Sequence, residues 1–206
     1  SKETKEKFFE VPEKCPECGG VITKVKTEDV AYRCINPSCP KQLERGLVHF
    51  ASRNAMDIEG LGEAAATQLI AQGLVKDFAD IYFLKKEDLL KCELFADKKA
   101  ENLFKSIEQR KKQPLSRLIY GLGVPNIGEK GSFVLAQRFE NLDKLIEAKS
   151  DDLKSIFEIG SVTAASLETF FQQPSARELI NKLRQAGLQW TEPQRRKSNK
   201  LMGKRF

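Results

Sequence analysis

Four of the five cysteines fall in two close pairs, Cys15-Pro16-Glu17-Cys18 and Cys34-Ile35-Asn36-Pro37-Ser38-Cys39. The spacing is C-x2-C, fifteen residues, then C-x4-C. A tight knuckle at each pair can aim two thiolates at one ion, and four sulfurs in a tetrahedron suit zinc. Cys15, Cys18, Cys34 and Cys39 are therefore the candidate ligands of one structural zinc. Four protein ligands leave no open coordination position, so the metal is expected to hold structure and not to catalyse. A segment this short cannot bury a core of its own, and metal binding in such modules contributes on the order of 10 kcal/mol to folding. Two disulfides or an iron–sulfur cluster are the competing uses of the same spacing. The odd cysteine count argues against a disulfide framework and for a reducing compartment.

A second pattern recurs four times, beginning at Ile58, Cys92, Val124 and Ile156, at intervals of 34, 32 and 32 residues. Such periods signal stacked supersecondary units. The first position is apolar in every copy, and so is the fourth: Leu61, Phe95, Ile127, Ile159. The fifth is Gly62, Ala96, Gly128 and Gly160; the ninth is small (Ala66, Ala100, Ser132, Ala164); the twelfth is always leucine (Leu69, Leu103, Leu135, Leu167). The remaining thiol, Cys92, takes an apolar first position, which predicts a buried structural role.

The elements that position these residues follow from the spacing. Positions nine and twelve lie three apart and share one helix face. The small residue admits a crossing helix, and the leucine fills the space beside it. An apolar segment precedes each turn, as at 43–55 and 115–122, so each unit reads helix, short hairpin, helix. Glycine at the fifth position is expected to permit positive φ and to let another backbone come close. A helix that starts there offers unpaired N–H groups and a positive dipole end, a phosphate site that needs no particular side chain. The pattern resembles the helix-hairpin-helix motif, which grips nucleic-acid backbone from the minor-groove side. A purely structural helical array that binds protein is the bland alternative.

Of the 206 residues, 31% are charged and 40% hydrophobic, as in an ordinary globular protein. No apolar run approaches membrane-spanning length and no signal peptide is read, so a cytoplasmic location and no membrane partner are expected. The net charge is +6, but Arg195, Arg196, Lys197, Lys200, Lys204 and Arg205 account for all of it. Removing those six from 35 basic residues leaves 29, equal to the 29 acidic ones. DNA binding by the body would rest on placed charges and backbone amides, not on bulk charge.

In chain order, residues 1–13 read as the end of a preceding element and 14–40 as a four-cysteine finger with a short β-hairpin. Its turn is expected at Thr27-Glu28-Asp29. Residues 41–188 form the helical body of four repeats, 189–199 a polar basic linker, and 200–206 the start of a further domain. Glu87-Asp88 and Asp151-Asp152 are expected at helix starts, where negative charge suits the dipole. Ser175 and Glu178 are expected to form a capping box for a helix whose apolar face is Ala176, Leu179, Ile180 and Leu183 and which Gly187 closes. His49, the single histidine, is expected at the surface or as a satisfied core residue.

A four-cysteine finger followed by four such repeats is similar to the C-terminal half of bacterial NAD-dependent DNA ligases. The resemblance covers essentially the whole chain. It implies a mainly α protein: a small zinc finger with a short β-hairpin, then an array of four helix-hairpin-helix motifs. It reads residues 8–18 as the exit from an oligonucleotide-binding barrel, and 201–206 as the start of a BRCT domain. It implies zinc on the four cysteines and minor-groove contacts from the hairpins at 59–63, 125–129 and 157–161. The candidate DNA-binding residues are Glu59, Gly60, Leu61, Gly62, Pro125, Asn126, Ile127, Gly128, Lys130, Ile159, Gly160 and Ser161, with Lys98 and Lys99 in repeat two. The parent enzyme would seal nicks in duplex DNA during replication and repair, using NAD outside this segment. The Lys-x-Asp-Gly nucleotidyl-transfer signature does not occur in this sequence. No residue is therefore a candidate for catalysis or NAD binding, and a monomeric, non-catalytic DNA-binding part is expected. Repeat two departs from the template with Leu94 and Ala96, while repeats three and four carry Asn126 and Glu158 at the third position. A carboxylate at 158 would repel phosphate unless its side chain turns away. The runner-up reading is a DNA-binding scaffold or accessory module of a repair nuclease.

Overall fold

A computed structural model describes residues 12–20, 22–24, 32–34 and 39–193. The finger's expected turn at 27–29, most of the segment 1–13, residues 194–199 of the expected linker and the expected domain start at 200–206 lie outside the described residues. No helix among the described residues is long and apolar enough to cross a membrane.

The finger contains two short strands, β1 (Ile22–Lys24) and β2 (Tyr32–Cys34), paired antiparallel with Ile22 opposite Cys34. Helix α1 (Pro40–Ala51) starts immediately after the last cysteine. Proline at the first helical position suits this start, because its fixed φ is helical and the missing N–H would have had no partner. The Cys39 carbonyl accepts from the amides of Gln42 and Leu43, and the Gln42 side-chain amide donates to the Cys34 carbonyl. Finger and helical body are thus stitched at the ligand-bearing backbone.

The body continues with α2 (Glu63–Ala71), a 3-10 segment (Phe78–Phe83), α3 (Lys86–Leu89), α4 (Asp97–Arg110) and α5 (Leu115–Gly121). It is completed by α6 (Glu129–Phe139), α7 (Leu142–Ile146), α8 (Ser150–Lys154), α9 (Ser161–Gln172) and α10 (Pro174–Gln185). Each template copy sits where the periodicity places it, between α1 and α2, α3 and α4, α5 and α6, and α8 and α9. The residues at positions one, four, nine and twelve are buried in all four copies. Ser132, the one polar residue among them, donates its hydroxyl to the Gly128 carbonyl at 3.0 Å, so its buried hydroxyl is satisfied.

The copies pack as two pairs. Gln68 of α2 accepts from the Leu94 amide of the second hairpin, while Ser106 of α4 accepts from the Glu59 amide of the first. Gly60 lies against Leu103, where an added Cβ would come within 3.7 Å. In the second pair, the Asn126 side chain of hairpin three donates to Ser166 of α9. Gly131 of α6 faces Ile159 of hairpin four, 4.0 Å from the place of a Cβ. In each pair one third-position residue meets an eleventh-position residue, Leu94 with Gln68 and Asn126 with Ser166.

Helix α10 returns to the start of the body. Its Lys182 Nζ lies 2.6 Å from carboxylates of both Asp77 and Asp80 at the head of the 3-10 segment. Its buried face is Ala176, Leu179, Ile180 and Leu183, and Gly187 stands at φ +77, as expected. The expected capping box is absent: the helix starts two residues earlier than a Ser175 cap implies, at Pro174, with Gln173 as its cap residue. Proline's own start signal overrides the serine, which lies inside the first turn. The acidic pairs 87–88 and 151–152 do fall in first turns, of α3 and α8.

The stretch expected as a linker from 189 begins instead as a docked strap. Gln189 donates to the Lys111 carbonyl at 2.7 Å, Glu192 donates to the Glu140 carbonyl at 3.0 Å, and Thr191 bridges Asn141. The Glu192 carboxylate accepts from the amide and hydroxyl of Ser116, at 2.8 and 3.1 Å. A polar composition misled here because these polar groups have specific partners in the body.

Candidate metal centre and nucleic-acid surface

The finger brings its four cysteines together. Backbone bonds from the Cys15 amide to the Gly20 carbonyl and from the Gly19 amide to the Cys15 carbonyl, each 2.8 Å, fold the first knuckle. Gly19 takes φ +68, which closes this turn without strain. The second pair is held by β2 at Cys34 and by the start of α1 at Cys39. The four sulfurs lie within 4.8 Å of one another; Cys15 and Cys39 are 3.9 Å apart, Cys18 and Cys34 3.6 Å. A zinc–sulfur bond of about 2.3 Å in a tetrahedron places sulfurs about 3.8 Å apart, so the cluster fits that ion. A disulfide requires about 2.05 Å, which no pair approaches. Among the described residues this is the one such cluster of metal-ligating side chains. Cys15, Cys18, Cys34 and Cys39 together fit one structural zinc.

The four hairpins share one backbone plan. Each closes a turn from the amide of position four to the carbonyl of position one, at 3.3, 3.0, 3.2 and 3.0 Å in copies one to four. Position three is left-handed in three copies: Gly60 at φ +89, Asn126 at +65 and Glu158 at +77. A closed turn with positive φ at its third residue is type II, which favours glycine or asparagine there. The expectation of positive φ at position five is therefore corrected. Gly62, Gly128 and Gly160 have φ −91, −90 and −80, and Ala96 has −74. These are extended cap residues, each immediately before the first turn of its helix. The left-handed residue is used inside the turn, and the chain must be extended again to enter the helix.

That correction raises the significance of the glycines. A Cβ built on Gly62, Gly128 or Gly160 would meet nothing within 4 Å. Neither conformation nor internal packing requires glycine at these three positions. What remains is the open space outside, at the starts of α2, α6 and α9.

The other candidate residues divide cleanly. Glu59, Gly60, Gly62, Pro125, Asn126, Gly128, Lys130, Gly160, Ser161, Lys98 and Lys99 are exposed; Leu61, Ile127 and Ile159 are buried. The buried three can offer only backbone to a ligand, since their side chains belong to the core. Lys130, on the first turn of α6, pairs with Glu158 at 2.5 Å. The Glu158 carboxylate is thus engaged across the pair of hairpins. Lys99 stands over the Phe95 ring at 5.6 Å. In copy two, the Leu94 amide is occupied by Gln68 and position three is not left-handed. Cys92 is buried, and burial pushes its thiol pKa up, as for an inert structural cysteine. His49 is half-buried and its Nε2 lies 2.9 Å from the Tyr120 carbonyl, a satisfied position.

The segment 157–161 is expected to contact the groove, but neither Phe157 nor Val162 is among the candidate residues, and both stand in solvent. A comparison of positions two and seven across the repeats carries the signal. Position two is Glu59, Glu93, Pro125 and Phe157; position seven is Ala64, Lys98, Lys130 and Val162.

Comparison with known proteins bears on both sites. Residues 14–40 match the NAD-dependent DNA ligase C4 zinc finger domain, and residues 117–180 match the helix-hairpin-helix motif. The chain is 44% identical over 200 residues to a DNA ligase of Endomicrobium trichonymphae, covering 97% of this chain and 30% of that protein. It is 46% identical over 188 residues to a DNA ligase of Natranaerobius thermophilus, covering 91% of this chain and 28% of the relative. It is 46% identical over 184 residues to a DNA ligase of Bacillus licheniformis, covering 89% and 27%. The chain thus spans less than a third of the length of these relatives.

Proposed function

We propose, from a chain homologous to the zinc-finger and helix-hairpin-helix part of the NAD-dependent DNA ligases, that it is the portion of such a ligase that grips duplex DNA. The first, third and fourth hairpins hold the sugar–phosphate backbone from the minor-groove side, by first-turn amides and helix dipoles. Such contacts do not read base sequence. One observation carries this reading. The three cap glycines have ordinary φ and open space on their outer side, and that space suits the close approach of a phosphate. Lys130 adds a placed charge at the start of α6. Hairpin two, with an alanine cap and no left-handed turn residue, supports the array, and Lys98 and Lys99 add at most a weak salt-sensitive contact.

The zinc finger, 14–40, anchors one end of this body, and the strap at 189–192 closes the other. Adenylation and nick sealing belong to the parent enzyme, which uses NAD on residues outside this chain and works in replication and repair. The segment itself acts in the cytoplasm as a monomer and supplies no catalytic group. The test is a titration of the 206-residue chain with intact and nicked duplexes of unrelated sequences across a salt series. Comparable affinities for unrelated sequences, falling steeply with salt, are the expected result. Binding to neither duplex at low salt would refute the reading.

A further inference from the structure

Resting on that DNA-binding reading, we propose that the tip of hairpin four carries an apolar wedge, Phe157 with Val162, that enters the minor groove of the bound duplex. Phe157 is 87% exposed and Val162 56%, although the fold has abundant core into which apolar residues could turn. The apolar residues that the hairpin needs for its own packing, Ile156 and Ile159, are both buried, so Phe157 is not one of them. Its counterparts in the other three copies are Glu59, Glu93 and Pro125, and those of Val162 are Ala64, Lys98 and Lys130. Hairpin four therefore lacks a charge at either position, and its one acid, Glu158, is paired with Lys130.

The setting favours DNA over a protein occupant. Phe157 stands three residues before Gly160, on the same hairpin whose cap glycine has open space on its outer side. A backbone held at the first turn of α9 brings deoxyribose edges and base steps within reach of the ring. Proteins on the minor-groove side use phenylalanine and aliphatic side chains in this way, wedging base steps apart. A protein partner or second copy would need about 800 Å² of contact on each side, while one aromatic side chain supplies only about 150–250 Å².

The experiment compares the wild-type 206-residue chain with Phe157→Ala and Phe157→Leu, on one nicked duplex over a series of salt concentrations. A duplex carrying 2-aminopurine beside the nick reports unstacking. Both variants should melt with the wild type, since the ring touches water. Phe157→Ala should weaken binding about tenfold at every salt concentration, with an unchanged slope of log affinity against log salt, and should lose the 2-aminopurine signal; Phe157→Leu should keep part of both. Wild-type affinity in Phe157→Ala, beside a wild type that binds, would overturn the wedge and leave the DNA-binding reading standing. A changed salt slope would overturn it too, by showing that a charge contact was lost. If the wild type itself does not bind DNA but self-associates through Phe157, both the reading and the wedge fall.

Discussion

Replacing Gly128 with valine tests whether the open glycines exist for a ligand. The backbone at 128 is at φ −90 and ψ −178, an extended conformation that valine adopts readily, and an added Cβ meets nothing within 4 Å. Valine is a poorer cap residue than glycine, which costs about 0.5–1 kcal/mol. Removing a glycine from the unfolded chain returns about 0.4–1 kcal/mol. These nearly cancel, so the melting temperature should move by about 2 °C or less. On the ligand side, the new methyl groups fill the approach to the first-turn amides of α6. Losing one hydrogen bond to a charged phosphate, about 1.5–3 kcal/mol, weakens binding about 10- to 100-fold. The assay is fluorescence anisotropy of a labelled nicked duplex at one fixed salt concentration, paired with a thermal melt. Unchanged affinity in a folded protein would refute the reasoning, because the space over Gly128 would then not be where phosphate comes. A loss of more than about 2 kcal/mol of stability would refute it differently, by showing an internal role for glycine.

Further outcomes are expected. Protein purified without added metal should contain one zinc per chain by elemental analysis; Cys18→Ser should lose it and loosen 14–40 while far-ultraviolet dichroism keeps its helical signal. Leu103→Ala, at a fully buried position in the first hairpin pair, should cost about 2–5 kcal/mol in a denaturant melt. Leu94→Glu, on the hairpin with an alanine cap and no left-handed turn residue, should leave DNA affinity within about threefold in the anisotropy assay, whereas abolished binding by a folded Leu94→Glu would reverse the division between hairpins. The latch of α10 gives a pH dependence. Burial raises the Asp80 pKa, but the Lys182 ammonium and the amides of Lys76 and Asp77 outweigh it and hold the carboxyl below 3.8. A depressed folded pKa contributes stability above the unfolded value and loses it as pH falls through the folded one. Lys182→Met should therefore destabilise at neutral pH and lessen the decline in stability below about pH 4, read from melts at stepped pH.

Particular residues show how far the primary structure alone reaches. The four-cysteine cluster was legible because metal geometry imposes short, regular spacings on cysteines that a reader can count. The four hairpins were legible because positions one, four, nine and twelve each do the same packing job in every copy. Position five was legible as unusual but was explained wrongly: glycine suggests left-handed φ, and only the turn geometry shows that position three takes it. Asn126 and Glu158 had looked like departures from the template. They are the left-handed residues, and Glu158 is turned toward Lys130.

What the sequence by itself determined was the local grammar: the cysteine cluster, the helix-hairpin-helix period and the family resemblance, all written in contacts between residues close along the chain. Tertiary structure alone decided the pairing of the hairpins, the return of α10 to Asp77 and Asp80, and the docking of 189–192 across the body. It also decided which apolar residues stay outside, Phe157 among them. These depend on partners dozens of residues away, and burial is settled by which surfaces meet, a quantity that no local spacing encodes.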